Sequence, residues 1–213
     1  EGDVLVHVRS ERADLCFALV QELMLAVKDS VEVMEDVTAF RYMDSRDLTG
    51  FVDGTENPES LEDRAVATLI AQEAYKDGSF VLTQRYVHQL DKWGQLNVEA
   101  QEKVIGRTKL DDIELDDDVK PDNAHIARVV IEENGEELEI LRHSLPYGSA
   151  AGEQGLFFIA YTKDLSITDR MLENMFGTTA DGLSDRLLKF VTPVSGAYFF
   201  APSEELWQRV IGE

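Results

Sequence analysis

Four histidines, a single cysteine and a large excess of acidic residues are the side chains through which this sequence could do chemistry. His7, His88, His125 and His143 stand far apart, and no Cys-x-x-Cys, His-Glu-x-x-His or His-x-His set exists, so a dedicated zinc site is not expected. The acidic run Asp111–Asp118 (DDIELDDD) lacks the glycine and the ligand spacing of a calcium-binding loop. Gly148, Gly152 and Gly155 bring no lysine and follow no strand-to-helix turn, which sets aside a phosphate loop. Ser144, Ser149 and Ser195 lie in no nucleophile elbow. What remains is Asp53, placed between Val52 and Gly54 and beside Phe51. An Asp-Gly pair is a good turn former. A carboxylate flanked by apolar side chains is also one that desolvation can tune for proton transfer. From composition alone the turn-forming reading is the better one.

Such groups need elements to position them. Val4, Val6 and Val8 alternate with Leu5, His7 and Arg9, the pattern of a half-buried strand. Ser10 is placed to cap a helix. Leu15, Leu19 and Leu23 with Cys16, Val20, Met24 and Val27 form two adjacent rows at helical spacing. Residues 31–42 read as a strand again, and Asp44–Pro58 as a Gly-punctuated loop. Helical character resumes over Leu61–Ala74, a strand over Ser79–Val87, and a helix over Val98–Ile105. Ile126–Ile131 reads as a strand, Asn134-Gly135 as the tip of a two-residue hairpin, and Leu138–Arg142 as its return. Gly155–Thr162 and Gly196–Ala201 read as strands, Ser166–Phe176 and Glu204–Ile211 as helices. Interleaved helices and hairpins favour an α+β fold with antiparallel sheet over a doubly wound parallel one.

The 213 residues suffice for a sizeable core, and 44% apolar with 29% charged residues is an ordinary globular mix. Forty-two Asp and Glu against 20 Lys and Arg give a formal charge of −22, which repels phosphate backbones and anionic membranes and so argues against both as partners. The lone Cys16 excludes an intrachain disulfide and points to a reducing compartment. No apolar stretch reaches membrane-spanning length, and the opening Glu1-Gly2-Asp3 shows no leader, which predicts the cytoplasm.

The segment Gly50-Phe51-Val52-Asp53-Gly54-Thr55-Glu56-Asn57-Pro58 resembles the Gly-x-x-Asp-Gly signature of dye-decolourising peroxidases, in the form typical of the bacterial B-type subgroup. Ile105–Lys109 (IGRTK), Ala124–Arg128 (AHIAR), Leu141–Gly148 (LRHSLPYG), Gly155–Phe158 (GLFF) and Asp185–Phe190 (DRLLKF) through Gly196–Ser203 (GAYFFAPS) resemble further family segments, in family order. The resemblance implies an enzyme with one haem b per chain that reduces hydrogen peroxide and oxidises dyes, phenols or lignin-like aromatics. It implies His125 as the axial iron ligand and Asp185 as acceptor of a hydrogen bond from the other ring nitrogen, which raises the basicity of the ligand. On position alone, His125 reads equally as a solvated residue before a strand and Asp185 as a helix cap. Asp53 and Arg142 are implied as the distal pair: a carboxylate that shuttles the peroxide proton and a guanidinium that stabilises charge as the O–O bond breaks. Ser144 is implied to line the same pocket, Leu156 and Phe158 to wall the haem, and Arg107 to meet a haem propionate, although a surface arginine is an equal reading. Trp93, Trp207 and several tyrosines are candidate electron relays, among which sequence does not choose.

Two ferredoxin-like halves packed through their sheets are the implied fold, with residues 1–44 the remnant of the N-terminal half and 45–213 the haem-binding C-terminal half. Family chains begin upstream of Glu1, and a shortened N-terminal half leaves open sheet edges that invite association. A homo-oligomer is the expected state. The resemblance allows packaging into a protein shell through a C-terminal tail, and none is expected after Gly212-Glu213. A hairpin tipped at Asn134-Gly135 would pair 127 with 142 and 125 with 144, placing His125 and Arg142 on one sheet face. A haem needs them on opposite sides, so His125 is expected outside that ladder, on a turn or short helix. The rival readings are a haem carrier or store without turnover, a protein that releases iron from haem, and a structural fragment that no longer binds haem.

Overall fold

A computed structural model describes residues 2–212; Glu1 and Glu213, on which the leader and tail readings touch, lie outside the described residues. In chain order the elements are α1 (Ala13–Val27), α2 (Leu61–Thr68), β1 (Ser79–His88), α3 (Leu90–Trp93), α4 (Val98–Ile105), α5 (His125–Val129), β2 (Glu132–Glu133), β3 (Glu136–Glu137), β4 (Leu141–Arg142), β5 (Leu145–Gly148), β6 (Gln154–Thr162), α6 (Leu165–Phe176), β7 (Val191–Ala201) and α7 (Glu204–Ile211). Short 3₁₀ turns cover Glu73–Tyr75 and Arg186–Lys189. The sheet runs β4-β6-β1-β7 with β5 also on β6, all of it antiparallel, as the α+β reading expects.

The central strand β1 is rich in β-branched and aromatic residues and pairs on both sides, from Phe80↔Thr162 to Val87↔Gly155 on β6 and from Ser79↔Ala201 to His88↔Val191 on β7. Side chains alternate between faces, so one face carries Leu82, Gln84, Tyr86 and His88 from β1 beside Leu156, Phe158 and Ala160 from β6. Arg142 pairs with Ala160 and joins that face. Helices α5 and α6 cover it. α6 is capped by Asp164, which accepts from the Ser166 N–H, and stopped by Gly177 in the left-handed region.

Residues 2–43 meet the opposite face. His7 Nδ1 lies 2.8 Å from the Tyr161 hydroxyl, and Glu35 pairs with Arg85. The strands expected at 3–9 and 31–42 do not form. Among the described residues neither finds a ladder partner beyond one bridge, Ala39↔Tyr147, and an extended segment without a neighbour leaves its backbone to water. The helix between them is present, but its N-cap is Arg12 rather than Ser10, and no residue of α1 is buried.

Ile126–Ile131 is the second correction. Its first residues are helical in α5, because Ile126, Val129 and Val130 satisfy helical spacing as well as a strand's, and short apolar runs do not distinguish the two. Arg128 decides the matter. It is buried and reaches the Asn174 carbonyl at 3.1 Å and Asp181 at 2.8 Å. The hairpin forms at its expected tip, with Asn134 and Gly135 both at positive φ, but its ladder holds only Glu132↔Glu137 and Glu133↔Glu136. Beyond it, β4 pairs with β6 instead of returning along 126–131.

Gly155 shows how closely the central strands approach. A Cβ there would stand 1.8 Å from the Tyr86 carbonyl oxygen, backbone that cannot yield without parting β1 from β6. Gly155→Ala is expected to destabilise the chain by about 1–3 kcal/mol or more, read as a lower urea midpoint; an unchanged midpoint would refute the close contact.

Candidate functional site

The helix-covered face of the sheet encloses a cavity between two apolar clusters. One contains Phe51, Trp93, Val104, Ile105 and Phe190, the other Ile140, Ala160 and Ile167. Leu156 and Phe158 line the cavity together with Met171, Leu172 and Met175 of α6. Asp53, Arg107, His125 and Arg142 line it too. Ser144 is not among the lining residues; its hydroxyl accepts from the Ile159 N–H at 3.3 Å.

His125 opens α5 and stands outside the hairpin ladder, where the expected geometry required it. Its Nδ1 lies 2.6 Å from Oδ2 of Asp185, a side chain with no exposure. Asp185 Oδ1 accepts from the Leu187 N–H at 2.8 Å, so the helix-cap reading and the imidazole-partner reading both hold, one oxygen for each. With Nδ1 donating to the carboxylate, Nε2 is left as a lone pair on a cavity-lining ring.

Asp53 comes from the Gly-rich loop. That loop is a small ladder of its own: Asp53 N donates to Ser45 O, Arg46 bridges Val52, and Asp47 N donates to Phe51 O. Asn57 then ties the loop to the sheet, its Nδ2 donating to the Arg142 carbonyl at 2.9 Å and its Oδ1 accepting from the Arg142 N–H at 2.8 Å. Burial pushes the Asp53 carboxyl above its ordinary range and the charge of Asp47 pushes the same way, while Arg142 and His125 pull against them. Arg142 Nε is buried without a partner.

Arg107 is engaged by the protein, through Asp112 at 2.8 Å and Glu56 at 2.6 Å. Trp93 is core, with Nε1 donating to Thr49 O, whereas Trp207 is half exposed. Asn57, Asp47, Thr49 and His88 are cavity or loop residues that sequence reasoning passed over. Asn57 lay inside the recognised loop, and His88 extends the alternation of Leu82, Gln84 and Tyr86 by one step. Among the described residues no group of three or more His, Cys, Asp and Glu side chains converges as a metal site. The arrangement therefore offers the anchored imidazole of His125 with its Nε2 free, the deeply buried imidazole of His88, a proton-holding carboxyl and a guanidinium around an apolar slot.

Two family models match the chain: Dyp-type peroxidase, N-terminal, over residues 1–41, and Dyp-type peroxidase, C-terminal, over residues 44–206. The dye-decolorizing peroxidase of Mycolicibacterium paratuberculosis is 46% identical over 206 residues, covering 95% of this chain and 58% of that protein. The Mycobacterium tuberculosis dye-decolorizing peroxidase is 45% identical over 205 residues, 95% of this chain and 61% of that protein. This chain thus spans about three fifths of the length of these relatives. Among solved structures, a dye-decolorizing protein from V. cholerae matches with TM-score 0.88 at 46% identity, covering 93% of this chain and 66% of that one. A DypB variant from Rhodococcus jostii RHA1 in complex with heme matches with TM-score 0.88 at 42% identity, over 93% of this chain and 65% of that one. An encapsulated DyP-type peroxidase from Mycobacterium smegmatis matches with TM-score 0.87 at 47% identity, over 91% of this chain and 64% of that one.

The site's geometry sets two measurable outcomes. Unfolding frees Asp53 to ionise near about pH 3.9, whereas the folded carboxyl keeps its proton to higher pH, so stability declines as pH rises from the unfolded value to the folded one. Asp53→Asn is therefore expected to be more stable than the parent above that window and equal below it, in urea titrations across pH. Asn57→Ala should cost about 1–3 kcal/mol by unpairing both backbone groups of Arg142; equal urea midpoints would contradict that tie.

Proposed function

The chain belongs to the Dyp-type peroxidase family, and from that premise we propose that it holds one haem b in the cavity and reduces hydrogen peroxide at the expense of dyes, phenols or other aromatic donors. The observation that carries this reading is the imidazole of His125, anchored through Nδ1 to a buried carboxylate and leaving one ligand nitrogen for the cavity.

The residues fit the group. A haem iron needs a ligand from the protein, and of the two imidazoles that line the cavity His125 is the accessible one, its side chain 25% exposed against 4% for His88, while no multi-residue metal set converges among the described residues. Leu156 and Phe158 supply apolar wall for a flat macrocycle, and Arg142 Nε, buried without a partner, is a donor suited to a polar group in the cavity. Arg107, at the same cavity, is the cation for a propionate in this reading, shared with Glu56 and Asp112. When bound, haem supplies the iron at which peroxide is reduced.

The protein's part is proton and charge handling. Asp53 takes the proton from one peroxide oxygen and returns it to the other, a transfer suited to a carboxyl whose proton affinity burial has raised. The guanidinium of Arg142 orients peroxide and holds the charge that develops as the O–O bond lengthens. Asp185 keeps the His125 ring in one tautomer and orientation. Ser144 acts in this proposal only through the strand it steadies, by way of the Ile159 N–H.

Residues 45–213 carry all of these groups and form the haem-binding half, with 1–44 belonging to the N-terminal half; the two family models divide near the same point. Among the described residues no helix is long and apolar enough to cross a membrane. A cytoplasmic homo-oligomer is the proposed state, supported by the single cysteine and by apolar side chains such as Phe17 and Leu25 standing about two-thirds exposed on α1.

A haemin titration followed by absorption tests the reading. A saturable Soret band in the parent, lost or strongly altered in His125→Ala, is expected, as is peroxide consumption slowed by about 10²-fold or more in Asp53→Ala and in Arg142→Leu with haem retained. A specific band without peroxide turnover would instead favour a haem carrier, and no band at all would overturn the proposal.

A further inference from the structure

A second carboxylate–imidazole pair borders the same cavity, and the reaction outlined above does not use it. His88 Nε2 lies 2.9 and 3.0 Å from the two oxygens of Asp47, and the His88 side chain is 4% exposed. Asp47 also accepts from the Thr49 N–H at 2.8 Å and the Thr49 hydroxyl at 2.6 Å. Against the opposing effect of burial, the interaction with His88 first and then the bonds from Thr49 hold its carboxyl below the ordinary range. An ionised carboxylate only accepts, so Nε2 of His88 carries the hydrogen. The other nitrogen, Nδ1, is buried with no partner, and both His88 and Asp47 line the cavity. His125 presents the reverse arrangement, bound through Nδ1 and free at Nε2.

The loop ladder sets the distance to Asp53. Asp53 N donates to Ser45 O and Asp47 N to Phe51 O, on either side of the Arg46–Val52 bridge, so the two carboxyl residues sit on the rungs flanking one bridge, and both line the cavity. Asp47 and Asp53 are thus within reach of each other's charge. The titratable and charged groups bearing on Asp53 are Asp47 from its own loop, Arg142 from β4 and the imidazole of His125 from α5. Of these, Asp47 is the one whose charge a cavity-lining imidazole can cancel.

We propose that Asp47 and His88 are a positioning pair for Asp53, a buried carboxylate and imidazole whose joint charge decides whether Asp53 holds or releases its proton. With the ring singly protonated the pair carries −1 and Asp53 keeps its proton. When Nδ1 takes up a second proton from the cavity or solvent, the pair becomes neutral and Asp53 releases its own. The bearing on peroxide turnover rests on the haem-peroxidase reading; the coupling among the three side chains does not.

The test is a carboxyl ¹³C NMR titration of the full chain labelled at aspartate, with Asp53→Asn identifying the Asp53 signal. Asp47→Asn keeps an acceptor for His88 but removes the charge, and is expected to lower the proton affinity of Asp53 by about tenfold. His88→Gln keeps a donor for Asp47 but cannot become positive, and is expected to raise it. Opposite displacements support the pair, because lost packing alone would not reverse sign between its two members. Displacement in one direction, or none, overturns it. Should Asp47→Asn fail to fold, His88→Gln decides alone: a raised affinity supports the pair, and an unchanged or lowered one overturns it. In the haem-loaded chain the acid limb of peroxide consumption should shift with the same displacements. A parent that binds no haem would overturn the peroxidase reading while the NMR midpoints still judge the pair.

Discussion

Asp185 is the fixed point of the site. A carboxylate almost without exposure to water survives folding only when its oxygens are occupied, and here each has one task. Oδ1 accepts from the Leu187 N–H and starts the 3₁₀ turn, while Oδ2 holds His125. Its own N–H donates to the Met175 carbonyl near the end of α6, and the next residue, Arg186, donates to the carbonyl of Asn123 two positions before His125. One residue thus joins the end of α6, the entry to β7 and the start of α5. That junction orients the imidazole, and the cavity is built around the nitrogen it leaves free.

The sheet supplies the second constraint. Because strand side chains alternate, β1 and β6 can serve only two surfaces, and the register that places Leu82, Gln84, Tyr86 and His88 toward the cavity commits Val81, Thr83 and Arg85 to the other side. That other side receives residues 2–43, through His7 on Tyr161 and Glu35 on Arg85. A slip of one residue would exchange the two surfaces and empty the cavity of its wall. The backbone contact at Gly155, which no side chain could enter, helps to exclude such a slip.

Loop chemistry completes the arrangement. Gly50 and Gly54 sit at φ +90° and +84°, values that allow the chain to turn sharply on both sides of Asp53. Asn57 then matches both backbone groups of Arg142, the way a strand neighbour would, so that the loop carrying Asp53 and the strand carrying Arg142 move as one unit. The cavity thereby gains two polarities. His125 and Asp185 form an anchored imidazole with one nitrogen free, and Asp53, Asp47 and Arg142 form a set in which burial and the repulsion between the two carboxyls hold a proton on Asp53.

Much of this was legible in the sequence because it is local. The strands from Ser79 and from Gly155, the helices from Ser166 and from Glu204, the Asn134-Gly135 turn and the Gly-rich loop arise from alternation, helical spacing and turn chemistry, each satisfied within a dozen residues. The motif around Asp53 and the blocks containing His125, Arg142 and Asp185 hold residues that the structure brings to the cavity or against its lining, and the position of His125 outside the hairpin ladder was expected from the family resemblance. What the sequence left undecided is what depends on a partner distant along the chain. Residues 3–9 have a strand's pattern but no ladder partner among the described residues, and 126–131 has a strand's composition but begins as helix, with Arg128 finding its acceptors on α6 and the loop beyond it. Whether Asp185 caps a turn or holds an imidazole is a choice sequence cannot make, since the two tasks fall to two oxygens of one carboxylate. The pairing of Asp47 with His88 and of Asn57 with Arg142 joins residues 41 and 85 positions apart, and no local propensity encodes such bonds. Local periodicity fixes the elements; the satisfaction of buried polar groups, which only the folded chain brings together, decides the site.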